Sequence, residues 1–143
     1  MSNNSFLIHS IKAIRYRFIK ATEKSNANFG DFKISSHTRS PKEIVNHMCD
    51  LVLKTESMLC EGHFNSPSPE PLDFTEESKR FLRSLSKLEN ILPDKEMHLE
   101  MSERLLQGPI LDMATHIGQL AMLNGINGRK VEKENYFKVD INP

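Results

Sequence analysis

Two histidines and one aspartate fall where side chains from different helices could meet. Asp112 and His116 are four residues apart, so on a helix they lie one above the other on a single face. Leu120 and Leu123 continue that line, which turns the pair toward the interior. His47 follows Ile44 by three residues and precedes Leu51 by four, so it shares the apolar face of its own segment. A polar side chain on an inward face needs a partner, because burying it alone costs free energy. Two imidazoles and a carboxylate converging from facing helices supply donors for one divalent ion and leave positions open for water or substrate. Zinc and nickel suit such a set best, and iron or manganese also accept it. An open position lowers the pKa of bound water to about 7 or takes a thiolate. Thr115 and Gln119, beside His116, are the candidates to orient ligands or hold a bound small molecule. Two plainer roles stay open at this point. An inward histidine also serves as a hydrogen-bonded core residue, and Asp112 with His116 also makes an ion pair near a helix start, where the dipole favours a carboxylate.

His9, His37, His63 and His98 sit in polar or loop contexts, and only His63 is placed to approach a pocket mouth. Asp50 and Glu56 read as solvated charges on an outer face. Cys49 and Cys60 read as small half-buried side chains. On one helix they would stand roughly 16 Å apart, too far for a disulfide, and free thiols suit a reducing compartment.

Four helical patterns must position these residues. The first runs from about Asn4 to Lys24, with Phe6, Leu7, Ile11, Ile14, Phe18 and Ile19 at helical spacing. Residues 26–40 are polar, contain Gly30, and read as a connection. Ser40-Pro41-Lys42-Glu43 is a helix start with a cap, a proline at N1 and a capping-box glutamate. The second helix reaches Glu61, with Ile44, Met48, Leu51, Val52, Thr55, Met58 and Leu59 inward, and Gly62 stops it. Three prolines between Asn65 and Pro71 make a loop. Asp73 or Thr75 restarts a third helix to about Leu92, ended by Pro93. The fourth is expected after Gly108, with Pro109 at N1, and ends at Gly125 or Gly128; residues 102–107 read as a helical lead-in. In the tail from Val131, Tyr136, Phe137, Val139 and Ile141 are expected to pack on the bundle. The class is all-α, an up-down four-helix bundle in one domain spanning residues 1–143.

Composition narrows the partners. Lysine plus arginine equals aspartate plus glutamate at 19 each, so no net field draws the chain to nucleic acid or an anionic membrane. Lys12, Arg15, Arg17 and Lys20 fall on the first helix, but aspartate and glutamate are plentiful elsewhere, so no nucleic-acid partner is expected. A near-neutral surface lowers the barrier to self-association. No apolar run is long enough to span a bilayer, and the first apolar stretch is broken by His9, Lys12 and Arg15, unlike a signal peptide. The expected compartment is the cytoplasm.

The stretch Leu105-Leu106-Gln107-Gly108-Pro109-Ile110-Leu111-Asp112-Met113-Ala114-Thr115-His116-Ile117-Gly118-Gln119-Leu120 resembles the last helix of the DinB/YfiT-like metal-dependent bundle family. Asn135-Tyr136-Phe137-Lys138-Val139-Asp140-Ile141 resembles the tail of one DinB-like branch, and His47 falls where the family places its first ligand. The resemblance implies a four-helix bundle, often a homodimer, with a metal between helices two and four. It implies thiol-dependent S-transfer, isomerisation or hydrolysis as the activity, with a low-molecular-weight thiol among the substrates. Many relatives carry three histidines, and here Asp112 takes the middle place. Aspartate is shorter and anionic; it either ligates directly or holds a ligand from behind. The other reading is a non-catalytic dimeric bundle that binds a metal or small molecule. The feature that speaks for this alternative is the absence of an obvious general base beside the candidate ligands, so that a thiol substrate would have to supply the nucleophile itself.

Overall fold

The computed structural model describes residues 4–142, which build four helical rods and, among the described residues, no strand. Helix α1 spans Asn4–Thr22, α2 Pro41–Glu61 and α3 Phe74–Ile91. The fourth rod is composite: α4 at Leu99–Leu105, a π-helical turn at Leu106–Ile110, then α5 at Leu111–Ile126. Helix α1 packs on α3 and α5, and α2 packs on the same two, so α1 and α2 occupy opposite corners.

Local chemistry explains the boundaries of α2 and α3. The Ser40 side chain accepts from the Glu43 backbone N–H, and the Ser40 N–H donates to Glu43 Oε1 at 3.0 Å. These bonds hold the Glu43 carboxyl below the usual carboxylate range. Pro41 occupies the first turn, and Gly62 ends α2 with φ of 80°, a left-handed conformation that suits glycine. Asp73 caps α3 by accepting from the Glu76 N–H at 2.8 Å.

The start of the fourth rod differs from the expectation. Pro109 does not stand at the first position of a helix; it lies inside the π turn, and the rod begins ten residues earlier at Leu99. Proline lacks an N–H and its ring collides with the carbonyl four residues back. Widening one turn opens the space that collision would fill, so the rod continues instead of breaking.

One stripe per helix closes the core. On α1 it is Leu7, Ile11, Ile14, Phe18 and Ala21. Phe6 is 75% exposed and Ile19 39%, against expectation, because neighbours in sequence point about 100° apart and cannot share a stripe already held by Leu7 and Phe18. Phe18 meets Phe81 of α3 with ring centroids 4.7 Å apart. The connection after α1 is also anchored: Phe29 is fully buried and stacks edge-on against Phe74 at 5.2 Å.

The tail lies along α1. Tyr136 packs edge-on against Tyr16 and under the Arg17 guanidinium, while Glu134 pairs with Tyr16 and Lys20 and Glu132 with Lys24. Phe137 was expected on the bundle and is instead 95% exposed. It sits in a turn closed by the Lys138 N–H on the Asn135 carbonyl, which points its ring away from the surface that Tyr136 covers.

Candidate functional site

Helices α2 and α5 are neighbours, and each brings one histidine to the seam. His47 stands in the second turn of α2, directly after the capping box that fixes where that helix begins. His116 stands near the middle of α5. Their rings meet edge to face, with centroids 4.9 Å apart and planes 89° from each other. His116 Nδ1 lies 2.9 Å from Gln119 Oε1. A carbonyl oxygen only accepts, so the neutral ring carries its proton on Nδ1 and keeps its lone pair on Nε2. His47 is half-buried, and its pKa is pushed down first by that burial. The positive charge of Arg39 and of a protonated His116 push it further, while Asp50 and Asp112 pull the other way. His47 is therefore a neutral imidazole at neutral pH, the form that donates to a metal.

The other expected members of the site lie differently. Asp112 is exposed on α5, and its charge reaches His47. Among the described residues, no three His, Cys, Asp or Glu side chains converge as a set able to hold a metal ion. The structure thus brings His47 and His116 together and leaves Asp112 at the edge. The Thr115 hydroxyl is turned back onto the Leu111 carbonyl of its own helix at 3.0 Å and is exposed, whereas Gln119 holds His116. His63 bonds locally to Ser57 and the Asn65 N–H, beyond the end of α2. Both cysteines are free and lie on α2; Cys49 is buried, which pushes its thiol up to about 11. A thiol with that pKa stays protonated and unreactive at neutral pH.

Beside His47 opens a cavity of about 600 Å³, between the first turns of α2 and α3 and the proline loop. Arg39, Lys42, Asn46, Asp50 and Glu77 line it together with His47. Asp50 and Glu56 are not the solvated outer charges expected of them. Each side chain is only 19% exposed, because each folds against a lysine, Lys54 and Lys87 respectively.

The residue missed from sequence is Glu77. It is fully buried, yet it is an acid. Its Oε2 accepts from Asn46 Nδ2 at 2.9 Å and from the Leu72 N–H at 3.0 Å, and Arg80 pairs with Oε1. Asn46 also donates to the Pro69 carbonyl and Arg80 to that of Glu70. These bonds staple the proline loop across α2 and α3 and make it a wall of the cavity. The signal was present: Glu77 stands four residues before Phe81, on the apolar line of its helix.

Compared with family models, curated proteins and solved structures, the chain matches none of them.

Proposed function

We propose that the chain is a DinB-like up-down bundle whose His47 and His116 hold a divalent ion, zinc or nickel before iron or manganese, with Asp112 as third ligand. The observation that carries this reading is the pair of imidazoles at 4.9 Å, one from each of two facing helices. His47 is kept neutral by burial, and His116 keeps its Nε2 lone pair free because Gln119 binds Nδ1. Asp112 is one helical turn from His116 on the same helix, and a side-chain rotation within that turn is what the third ligand requires. Such an ion, when bound, supplies Lewis acidity and lowers the pKa of a coordinated water or thiol. The chain's own residues orient the ligands, exclude water on the core side through Met48 and Leu120, and present a polar cavity to a small substrate such as a low-molecular-weight thiol.

The test is metal analysis of protein purified without chelator and reloaded with each ion. One ion per chain is expected, lost in His47→Ala and in His116→Ala and weakened in Asp112→Asn. Absence of any bound ion after reloading would sink the proposal.

A specific observation favours a second reading, a non-catalytic small-molecule-binding bundle. Glu77 is the buried acid of the cavity wall, and its oxygens are already committed to Asn46, Leu72 and Arg80. It is therefore not free to act as a base. A homodimer belongs to either reading. The outward face of α5 carries exposed Leu111 and Ile126, and a side chain added at Gly118 or Gly125 would meet nothing within 4 Å. A helix apolar on its outer face gains by being covered.

A further inference from the structure

A second cleft, of about 530 Å³, lies between the segment before α2 and the C-terminal half of α5. Its volume falls in the range of small-molecule sites, roughly 300–1,000 Å³. Ile34, Ile44, Met122 and Leu123 give it an apolar floor and walls. Ile34 and Met122 are 48% and 60% exposed, so that apolar surface faces open space. The polar lining is Thr38, His37, Gln119 and Arg39, and no carboxylate lines the cleft. The larger cavity contrasts with it, because Glu43, Asp50, Asp73 and Glu77 all line that one.

Arg39 is shared between the two. It lines both cavities, is exposed, and makes no hydrogen bond or ion pair with the described residues. Lys42, the neighbouring cation, is already paired with Asp31. A guanidinium presents a planar fork of donors matched to a carboxylate. Gln119 adds a donor: its oxygen is occupied by His116, and its amide nitrogen remains available on the cleft side.

We propose that this cleft binds a small amphipathic monocarboxylate, its carboxylate on Arg39 and its apolar body on Ile34, Ile44, Met122 and Leu123. Charge complementarity selects the head, since the lining holds no carboxylate and its guanidinium has no ion-pair partner among the described residues. The apolar floor selects the body, since a bare anion would leave it wet. The site does not need the metal, and a ligand in it would rest against Gln119, the residue that holds His116.

Calorimetric titration of the metal-free full chain tests this with three probes: hexanoate, hexanamide and acetate. Hexanoate is expected to bind saturably, with hexanamide and acetate each weaker by about tenfold or more, as loss of a charged hydrogen bond or of the buried chain implies. Arg39→Gln should weaken hexanoate by about tenfold and leave hexanamide unchanged, and Arg39→Lys should fall between. Arg39 is exposed, so these variants keep the fold, which circular dichroism verifies. Absence of saturable hexanoate binding, equal binding of hexanamide, or indifference to Arg39→Gln would each overturn the proposal. So would hexanoate affinity that falls as protein concentration rises, which would mean that a second copy covers the cleft. Working without metal separates this result from the metal site, whose own test is ion content.

Discussion

His47 titrates below the ordinary imidazole range, and each cause of that shift is a residue that can be changed. Burial comes first, then Arg39 and His116. Arg39→Gln removes one positive charge, so the His47 pKa should rise toward the ordinary value of about 6.5, read from imidazole carbon shifts in the metal-free protein. An unchanged titration curve would show that Arg39 does not act on this ring. The same shift fixes a pH trend. A histidine with a lowered folded pKa binds its proton first in the unfolded chain. Its penalty is therefore absent above about pH 6.5 and grows as the pH falls from there to the folded pKa, so the chain loses stability on mild acidification. At this scale the sequence was a good guide to direction and a poor one to reach. Helical spacing aims His47 and His116 at each other, and they meet. It aims Asp112 the same way, yet a shorter side chain two residues past the end of the π segment stays at the surface. Glu77 escaped notice because an acid on an apolar line looks like a gap in the pattern until its three partners are seen.

The elements were legible wherever a boundary is made by one residue's chemistry. Ser40, Pro41, Glu43, Gly62 and Asp73 each act where their type says they should, because caps and stops depend on neighbours in the chain. Long-range packing left weaker signs. The connection after α1 reads as a polar loop, but Gly30 lies so close to α3 that an added Cβ would stand 2.5 Å from Phe74 Cβ. That atom is attached to the α3 backbone and cannot swing aside. Gly30→Ala should therefore push Phe74 outward, disturb its contact with Phe29, and destabilise the chain by about 1–3 kcal/mol, measured by urea unfolding. A neutral result would mean that the loop shifts freely and is not an anchor. The π turn was equally hidden. Pro109 is a strong start signal in isolation, and only the continuity of Leu105 and Ile110 with the core reveals that the rod runs through it.

For the whole molecule, four rods around one core leave α5 with an apolar outer face, and a formal charge of zero does nothing to keep copies apart. Among the described residues no helix is long and apolar enough to cross a membrane. Ile126→Glu places a charge on it without touching the core, and should move the chain from dimer to monomer in light scattering at unchanged helicity. Wild-type protein that is already monomeric at high concentration would remove the dimer from both functional readings. The π turn at Leu106–Ile110 also has a meaning for the chain as a counted string. It holds about one residue more than an α-helix would use over that span. Removing one residue, Gly108 for instance, would let the rod close as plain α-helix with its two flanks still in phase, Leu105 in the core and His116 facing His47. What would be lost is the room that the wide turn gives the Pro109 ring. The extra residue and the proline are therefore one device, and a descendant of this sequence can drop the residue only if it also replaces Pro109.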